Sequence, residues 1–391
     1  MKILVASHTY IVDLNCEKLK KLANLNPEVE VTVVVPKRWR PGGVQNKIIE
    51  TKPQNESNFR VIPISNFSEN NQGLLTFGAD LINLLRQFKP QIVQAEQGAK
   101  ALSYAQLITL NKLLGLKAKN VFFTWWNLPY TSKFPINFLE SYNLNNTDGL
   151  IIGNQDGLEV LREHGYQGQA KIMPQLGVDE ELFAPRSQPE LASELGITND
   201  DFVIGFVGRF VEEKGILTLL KALTNLKELK WKLLLLGRGD LKTTILATAK
   251  EAGIKDRLIL VESVPHQEVT RYINLMNVLV LPSETTYKFK TLTAAGWKEQ
   301  FGHVLIEAMA CKVPVIGSDS GEIPNVIGDA GLIFPEADAA ALENCLKSLL
   351  SQPELTAKLA KLGYQKAMKQ YTNQALAKQQ LEFYQELFES K

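Results

Sequence analysis

The chain has 391 residues, 45% hydrophobic and 22% charged, with 43 lysines and arginines against 42 aspartates and glutamates. That length allows two domains of ordinary size, each with a substantial core, and a formal net charge of +1 leaves no global field to draw the chain to nucleic acid. Three dispersed cysteines (Cys16, Cys311, Cys345) and four histidines (His8, His164, His266, His303) form neither a disulfide framework nor a zinc-ligand spacing, so a reducing compartment is expected.

The N-terminal stretch MKILVASHTYIVDLN starts directly on an apolar run shorter than a signal peptide requires, and no apolar run approaches the ~20 residues that cross a bilayer. A cytoplasmic location is expected, with peripheral contact on the inner face of the membrane left open. Apolar runs at 2–7, 30–36, 59–65, 91–96, 120–126 and 149–154 read as strands, separated by segments whose apolar residues recur at three and four. Such alternation predicts βαβ units and a parallel sheet. The stretch 171–190 interrupts it with Pro174, Pro185, Pro189 and Gly177, and predicts an interdomain linker over 176–190. The alternation then resumes with strands at 202–208, 231–237, 257–263, 278–283, 313–319 and 331–335, several apolar on both faces as helix-covered strands are. The last ~50 residues read as helices alone. The final one carries Leu376, Leu381, Tyr384, Leu387 and Phe388 on one stripe. The expected organisation is therefore α/β: a doubly wound Rossmann-like domain over 1–175, a linker over 176–190, a second such domain over 191–371, and a C-terminal helix over 372–391 packing back on the first. Ligands in open parallel sheets sit beyond the carboxyl ends of the strands, so two facing sheets would form an interdomain cleft.

Chemistry-bearing residues concentrate in 297–328, WKEQFGHVLIEAMACKVPVIGSDSGEIPNVIG. Glu299 and Glu307 are eight positions apart, the first in a loop and the second one turn inside a helix that starts near His303. A helix N-terminus presents N–H groups and partial positive charge suited to a diphosphate, Gly302 lets a ligand approach the backbone, and a carboxylate accepts from a vicinal diol. The segment VGRFVEEKG (207–215) places Arg209 and Lys214 after the first strand of the second half, where two cations neutralise a diphosphate. It is not a Walker A loop, because Glu213 stands where a glycine is needed. LLGRGD (235–240) holds Gly237 and Gly239 but lacks the third glycine of a dinucleotide fingerprint, so no nicotinamide cofactor is expected. Each residue has an ordinary reading as well: solvated carboxylates and cations, turn glycines, His303 as a first-turn helix residue, His8 packed at a strand end, Trp125 and Trp126 as core or cleft wall. Their coincidence at the carboxyl ends of one sheet favours a site.

Taken together, these motifs resemble the GT-B glycosyltransferases of family four, over nearly the whole second half. The family's two glutamates with seven residues between are matched by Glu299 and Glu307, its arginine and lysine by Arg209 and Lys214, and its glycine turn by residues 237–239. The resemblance implies a retaining, metal-independent hexosyltransferase that uses a nucleotide diphosphate sugar as co-substrate and a saccharide or lipid-linked saccharide as acceptor, in polysaccharide or glycoconjugate synthesis. It implies that Arg209 and Lys214 bind the diphosphate, Glu307 the ribose hydroxyls and Glu299 the transferred sugar. Backbone groups of Phe301, Gly302 and His303 would contact sugar and phosphate, and the neighbourhood of Gly237 and Val264 would line the base. No cofactor or metal is expected, and no Asp-x-Asp occurs in the chain. The first half, the acceptor side in this resemblance, departs from the common pattern. TYIVDLN (9–15) has no glycine, and Trp126 and Asn127 stand where many relatives have a histidine, which leaves Asn127, Trp126 and His8 as acceptor-side candidates. The stretch 284–297 is longer than a tight turn and reads as a lid or an acceptor contact, and the basic stretch 36–43 around Trp39 as an anionic-surface contact or an exposed loop. The competing functions are a sugar-nucleotide epimerase of the same fold and a non-catalytic sugar-nucleotide-binding component of a polysaccharide assembly complex.

Overall fold

The computed structural model describes residues 1–41, 47–290 and 295–389. Gly42 and Gly43 of the basic stretch and residues 291–294 of the 284–297 stretch lie outside the described residues. The chain forms two compact units, one of residues 1–177 together with the segment from Asn373 onward, the other of residues 178–372.

The first unit is built on eight strands: β1 (Lys2–Ala6), β2 (Glu30–Pro36), β3 (Gln54–Glu56), β4 (Phe59–Ile64), β5 (Ile92–Ala95), β6 (Lys119–Thr124), β7 (Gly149–Ile152) and β8 (Gln169–Ile172). Their order is β8-β7-β6-β5-β1-β2-β4-β3, all parallel except β3, which runs antiparallel to β4. Ile3 pairs with Val31 on one side and Ile92 on the other, and Ile3, Leu4 and Val5 are wholly buried, which is why the strand is apolar on both faces. The helix Asn373–Glu389 completes this unit by burying Leu376, Ala377, Phe383, Tyr384 and Leu387 in its core. Leu387 and Phe383 lie so close over Gly149 that a Cβ there would stand 2.8 Å from Leu387 Cδ1. The buried stripe thus differs from the sequence expectation: Leu381 is only partly buried and Phe388 is exposed, while Phe383 takes the inward position.

The second unit has a six-stranded parallel sheet of β9 (Phe202–Val207), β10 (Trp231–Leu236), β11 (Leu258–Val261), β12 (Val278–Leu281), β15 (Val315–Ser318) and β16 (Leu332–Phe334), in the order β11-β10-β9-β12-β15-β16. A separate antiparallel hairpin, β13 (Thr286–Lys290) and β14 (Ala295–Trp297), interrupts the connection between β12 and the helix His303–Ala310. The winding reverses between β9 and β12, and the carboxyl ends of strands at such a reversal are where ligands of open parallel sheets are expected. Residues 178–190, whose prolines suggest a linker, are folded onto this unit. Val178 and Phe183 are buried, Val178 N–H donates to Tyr371 O at 2.8 Å, and Asn274 Nδ2 donates to Ala184 O at 3.0 Å. Pro185 lies in irregular backbone and Pro189 opens the helix Pro189–Glu194, where its missing N–H costs nothing. Among the described residues no helix is long and apolar enough to cross a membrane.

The C-terminal helix is fixed by polar bonds as well as by burial. Tyr384 hydroxyl donates to Gln94 Oε1 at 2.7 Å and accepts from Gln380 Nε2 at 2.6 Å, all three side chains being buried. Tyr384→Phe removes the donor and strands two buried amides, so it is expected to lower the unfolding free energy of this unit by about 1–3 kcal/mol, measured by urea denaturation followed by circular dichroism.

Candidate functional site

The crevice beside β9 is shaped by the chain leaving that strand. Phe210 is wholly buried and fixes the turn, its N–H donating to Arg238 O at 2.9 Å. A single 3-10 turn, Glu212–Lys214, then leads into the helix Ile216–Thr224. Lys214 Nζ lies 2.5 Å from Glu299 Oε2, with only 15% and 9% of the two side chains exposed. Ser283, just past β12, donates its hydroxyl to the same Oε2 at 2.7 Å. The ring of Trp297 lies 4.9 Å from the Lys214 ammonium. Two loops on either side of the winding reversal thus meet at one carboxylate.

The backbone of Glu299 is held by a close approach. Gly321 has φ +52°, and a Cβ there would stand 1.9 Å from Glu299 O, which also accepts from Glu322 N at 3.2 Å. Past Glu299, Phe301 is buried edge-on against Tyr371, ring centroids 5.6 Å apart. Gly302, at φ +83°, is the N-cap residue of the helix His303–Ala310 and has no side chain of its own to cap it. An added Cβ would meet Leu281 Cδ2 at 2.7 Å, so the left-handed turn and the packing against β12 both require glycine. The helix N-terminus, with its partial positive charge, therefore stands within four residues of Glu299.

Glu307 lies one turn into that helix and has a different character. Burial pushes its carboxyl up to about 7. The His266 ring stands beside it, Nε2 to Oε1 3.9 Å, its own pKa pushed down by burial, and packs on Phe183 with centroids 5.3 Å apart. Among the described residues the Glu307 carboxylate makes no hydrogen bond, its backbone O alone accepting from Cys311 N, so the carboxylate's acceptor capacity is unspent. The two glutamates thus differ in their surroundings: Glu299 is tied to a cation and a hydroxyl, Glu307 is desolvated and open to a diol.

The other predicted residues are placed as follows. Arg209 is 62% exposed and reaches back to the buried Glu213, Nη2 to Oε1 3.4 Å. Gly237 ends β10, its N–H donating to Val261 O at 3.0 Å, and half-buried Val264 follows β11, so both stand at carboxyl ends of neighbouring strands. His8, Trp126 and Asn127 belong to the first unit. His8 follows β1 and stacks on Trp39 at 5.0 Å; burial pushes it down to about 4, so it is neutral, and its Nδ1 has no partner among the described residues. Trp126 donates Nε1–H to Leu128 O at 2.5 Å and faces Tyr130 edge-on at 5.9 Å, while Asn127 is buried. Lys100 Nζ stands 4.9 Å from the Trp126 ring and 3.4 Å from that of Tyr130.

Several residues escape sequence reasoning. Ser283 and Trp297 flank a hairpin, and nothing in their spacing from Lys214 shows that they converge on it. In the first unit, Thr9, Glu96, Trp125 and Gln175 follow β1, β5, β6 and β8. Gln175 Nε2 donates to Glu96 Oε2 at 2.8 Å and Thr9 Oγ1 at 3.2 Å, and Trp125 Nε1 donates to Gln175 Oε1 at 3.1 Å. Strand ends in parallel sheets are the one available signal for these residues.

Residues 187–366 match the family model described as glycosyl transferases group 1. N-acetyl-alpha-D-glucosaminyl L-malate synthase from Bacillus anthracis is 28% identical over 205 residues, 52% of this chain and 50% of that protein. The chain spans about half the length of the curated relatives it matches. Two solved structures align over nearly their full length: sucrose-phosphate synthase from Thermosynechococcus elongatus, with TM-score 0.69, 20% identity and 100% of both chains, and Anabaena HepE in complex with UDP and glucose, with TM-score 0.68, 15% identity, 99% of this chain and 100% of that one. They show the GT-B fold for this chain.

The raised Glu307 carboxyl has a definite sign. A folded-state value near 7, against an ordinary 4.5, means that the folded chain holds a proton the unfolded chain has released, so stability falls as pH rises through this window. Glu307→Gln is therefore expected to raise the thermal midpoint at pH ~8 and to leave it nearly unchanged at pH ~4, as read by differential scanning calorimetry.

Proposed function

We propose that this chain, which has the GT-B fold and a glycosyl transferases group 1 domain in its second unit, is a retaining, metal-independent glycosyltransferase. It moves a hexose from a nucleotide diphosphate sugar to a saccharide or lipid-linked saccharide acceptor. The observation that carries the proposal is the Lys214–Glu299 pair at the point where the sheet winding reverses, four residues from the start of the helix His303–Ala310. The alignment with HepE, a structure holding UDP and glucose, supports a donor of this class.

In this reading an ammonium with three donor hydrogens gives one to Glu299 and offers the others to the donor diphosphate. Arg209, exposed and loosely held, closes on the phosphates from the other side. Glu307 accepts from the ribose diol, and the charge it needs is favoured once hydroxyl donors replace the missing water. Glu299 directs its carboxylate at hydroxyls of the transferred sugar. The bond from the anomeric carbon to the diphosphate oxygen breaks with its electron pair going to the diphosphate. The acceptor hydroxyl attacks from the same face, and its proton passes to a phosphate oxygen. Lys214, Arg209 and the helix dipole stabilise the charge that develops on the leaving group, and this stabilisation is greater in the transition state than in the ground state. Glu299 is a poor covalent nucleophile here, because Oε2 already accepts from both Lys214 and Ser283.

Lys214→Ala and Arg209→Ala are each expected to lower turnover by about 10²-fold or more, measured with whichever nucleotide sugar stabilises the chain in a thermal-shift panel of uridine, guanosine and adenosine diphosphate sugars. Near-normal turnover in both variants would overturn the assignment. EDTA is expected to leave turnover unchanged in the same assay, and its complete loss would refute the metal-independent mechanism.

A further inference from the structure

Ser283 and Glu299 are hydrogen-bonded, and the paired strands β13 and β14 lie between them in the chain. That hairpin is tied, contact by contact, to the segment that carries Lys214. Glu284 N–H donates to Glu213 O at 2.9 Å, and Thr218 donates its hydroxyl to Glu284 Oε1 at 2.5 Å. Lys288 Nζ pairs with Glu212 at the start of the 3-10 turn. Alternation along β13 then turns Tyr287 and Phe289 to the opposite face, where they are exposed. On the returning strand Trp297, opposite Thr286, brings its ring to the Lys214 ammonium, and Glu299, two residues on, brings its carboxylate to the same nitrogen.

We infer that the hairpin is a clamp on Lys214 and that Trp297 is a positioning residue for the donor diphosphate, an inference that rests on the donor-site reading above. A lysine side chain has large rotamer freedom, and an ammonium held only by a carboxylate is free to fold down on it and to turn its charge away from an incoming anion. The electron-rich ring face opposes that collapse without neutralising the cation. It desolvates the ammonium on one side and leaves its remaining N–H groups directed at the crevice. The ordering cost is met when the chain folds rather than when the diphosphate binds, so the contact appears as affinity. Lys288 and Glu212 hold the first strand of the hairpin to the turn, so the ring and the ammonium move together.

The test compares Trp297→Leu, which keeps apolar bulk but no ring face, with Trp297→Phe, which keeps a face, by titration calorimetry with UDP, GDP and ADP as probes. Trp297→Leu is expected to weaken binding of the preferred nucleotide about tenfold and Trp297→Phe by no more than about threefold, with unchanged thermal midpoints in the absence of nucleotide. A second variant, Lys288→Glu, sets two exposed carboxylates against each other away from the core and is expected to weaken the same binding by about threefold. Leu and Phe variants that bind alike, or a Lys288→Glu variant that binds as the unaltered chain does, would overturn the clamp and leave the donor site standing. An unaltered chain that binds none of the three probes would overturn the donor reading and the clamp with it.

Discussion

Glu299 and Lys214 are taken out of water together, and much of the second unit is arranged around that fact. Moving an ammonium and a carboxylate into a crevice costs several kcal/mol per ion unless each finds close partners. The pair meets this requirement through its own 2.5 Å contact, the Ser283 hydroxyl and the Trp297 ring. Each partner arrives on a different segment: the turn after β9, the strand end of β12, and the returning arm of the hairpin. Gly321 lets a fourth segment lie against the Glu299 backbone. The site lies at the winding reversal, where the loops after β9 and β12 come into contact, Glu284 N–H donating to Glu213 O at 2.9 Å.

How much of this was legible in the sequence follows from what each part buries. The central strands are continuous apolar runs because helices cover both faces, so β1, β2, β9, β10 and β12 announce themselves. The two edge strands of the first sheet do not. β3 is polar and largely exposed, and β8 is only half-buried, so neither carries an apolar signal. Prolines at 185 and 189 pointed to an interdomain linker, and Val178 and Phe183 within that stretch are buried. Proline constrains its own backbone and says nothing of what its neighbours bury.

The candidate site divides in the same way. The spacing of Glu299 and Glu307 and the placing of Arg209 and Lys214 after a strand were readable, because they depend on local geometry within one loop or one helix turn. That one glutamate is held by a cation while the other is desolvated was not, since it depends on Ser283, Trp297 and His266 arriving from elsewhere in the unit. In the first unit the polar chain from Gln380 and Tyr384 through Gln94 to Glu96 and Gln175 joins residues nearly three hundred positions apart. No window of sequence contains it, and it places a buried carboxylate at the carboxyl end of β5.

The return of the helix Asn373–Glu389 to the first unit also bears on the order in which the chain matures. The second unit is an insertion in the first, and its two ends meet where Val178 pairs with Thr372. A chain emerging from the ribosome completes residues 178–372 before it makes the helix that covers Leu19, Leu22 and Gly149. The second unit has all its own sequence at that moment. The first, although begun earlier, waits with an apolar flank uncovered, which is the circumstance in which nascent chains need chaperones most. Synthesis from the N-terminus therefore makes the leading unit the last to close.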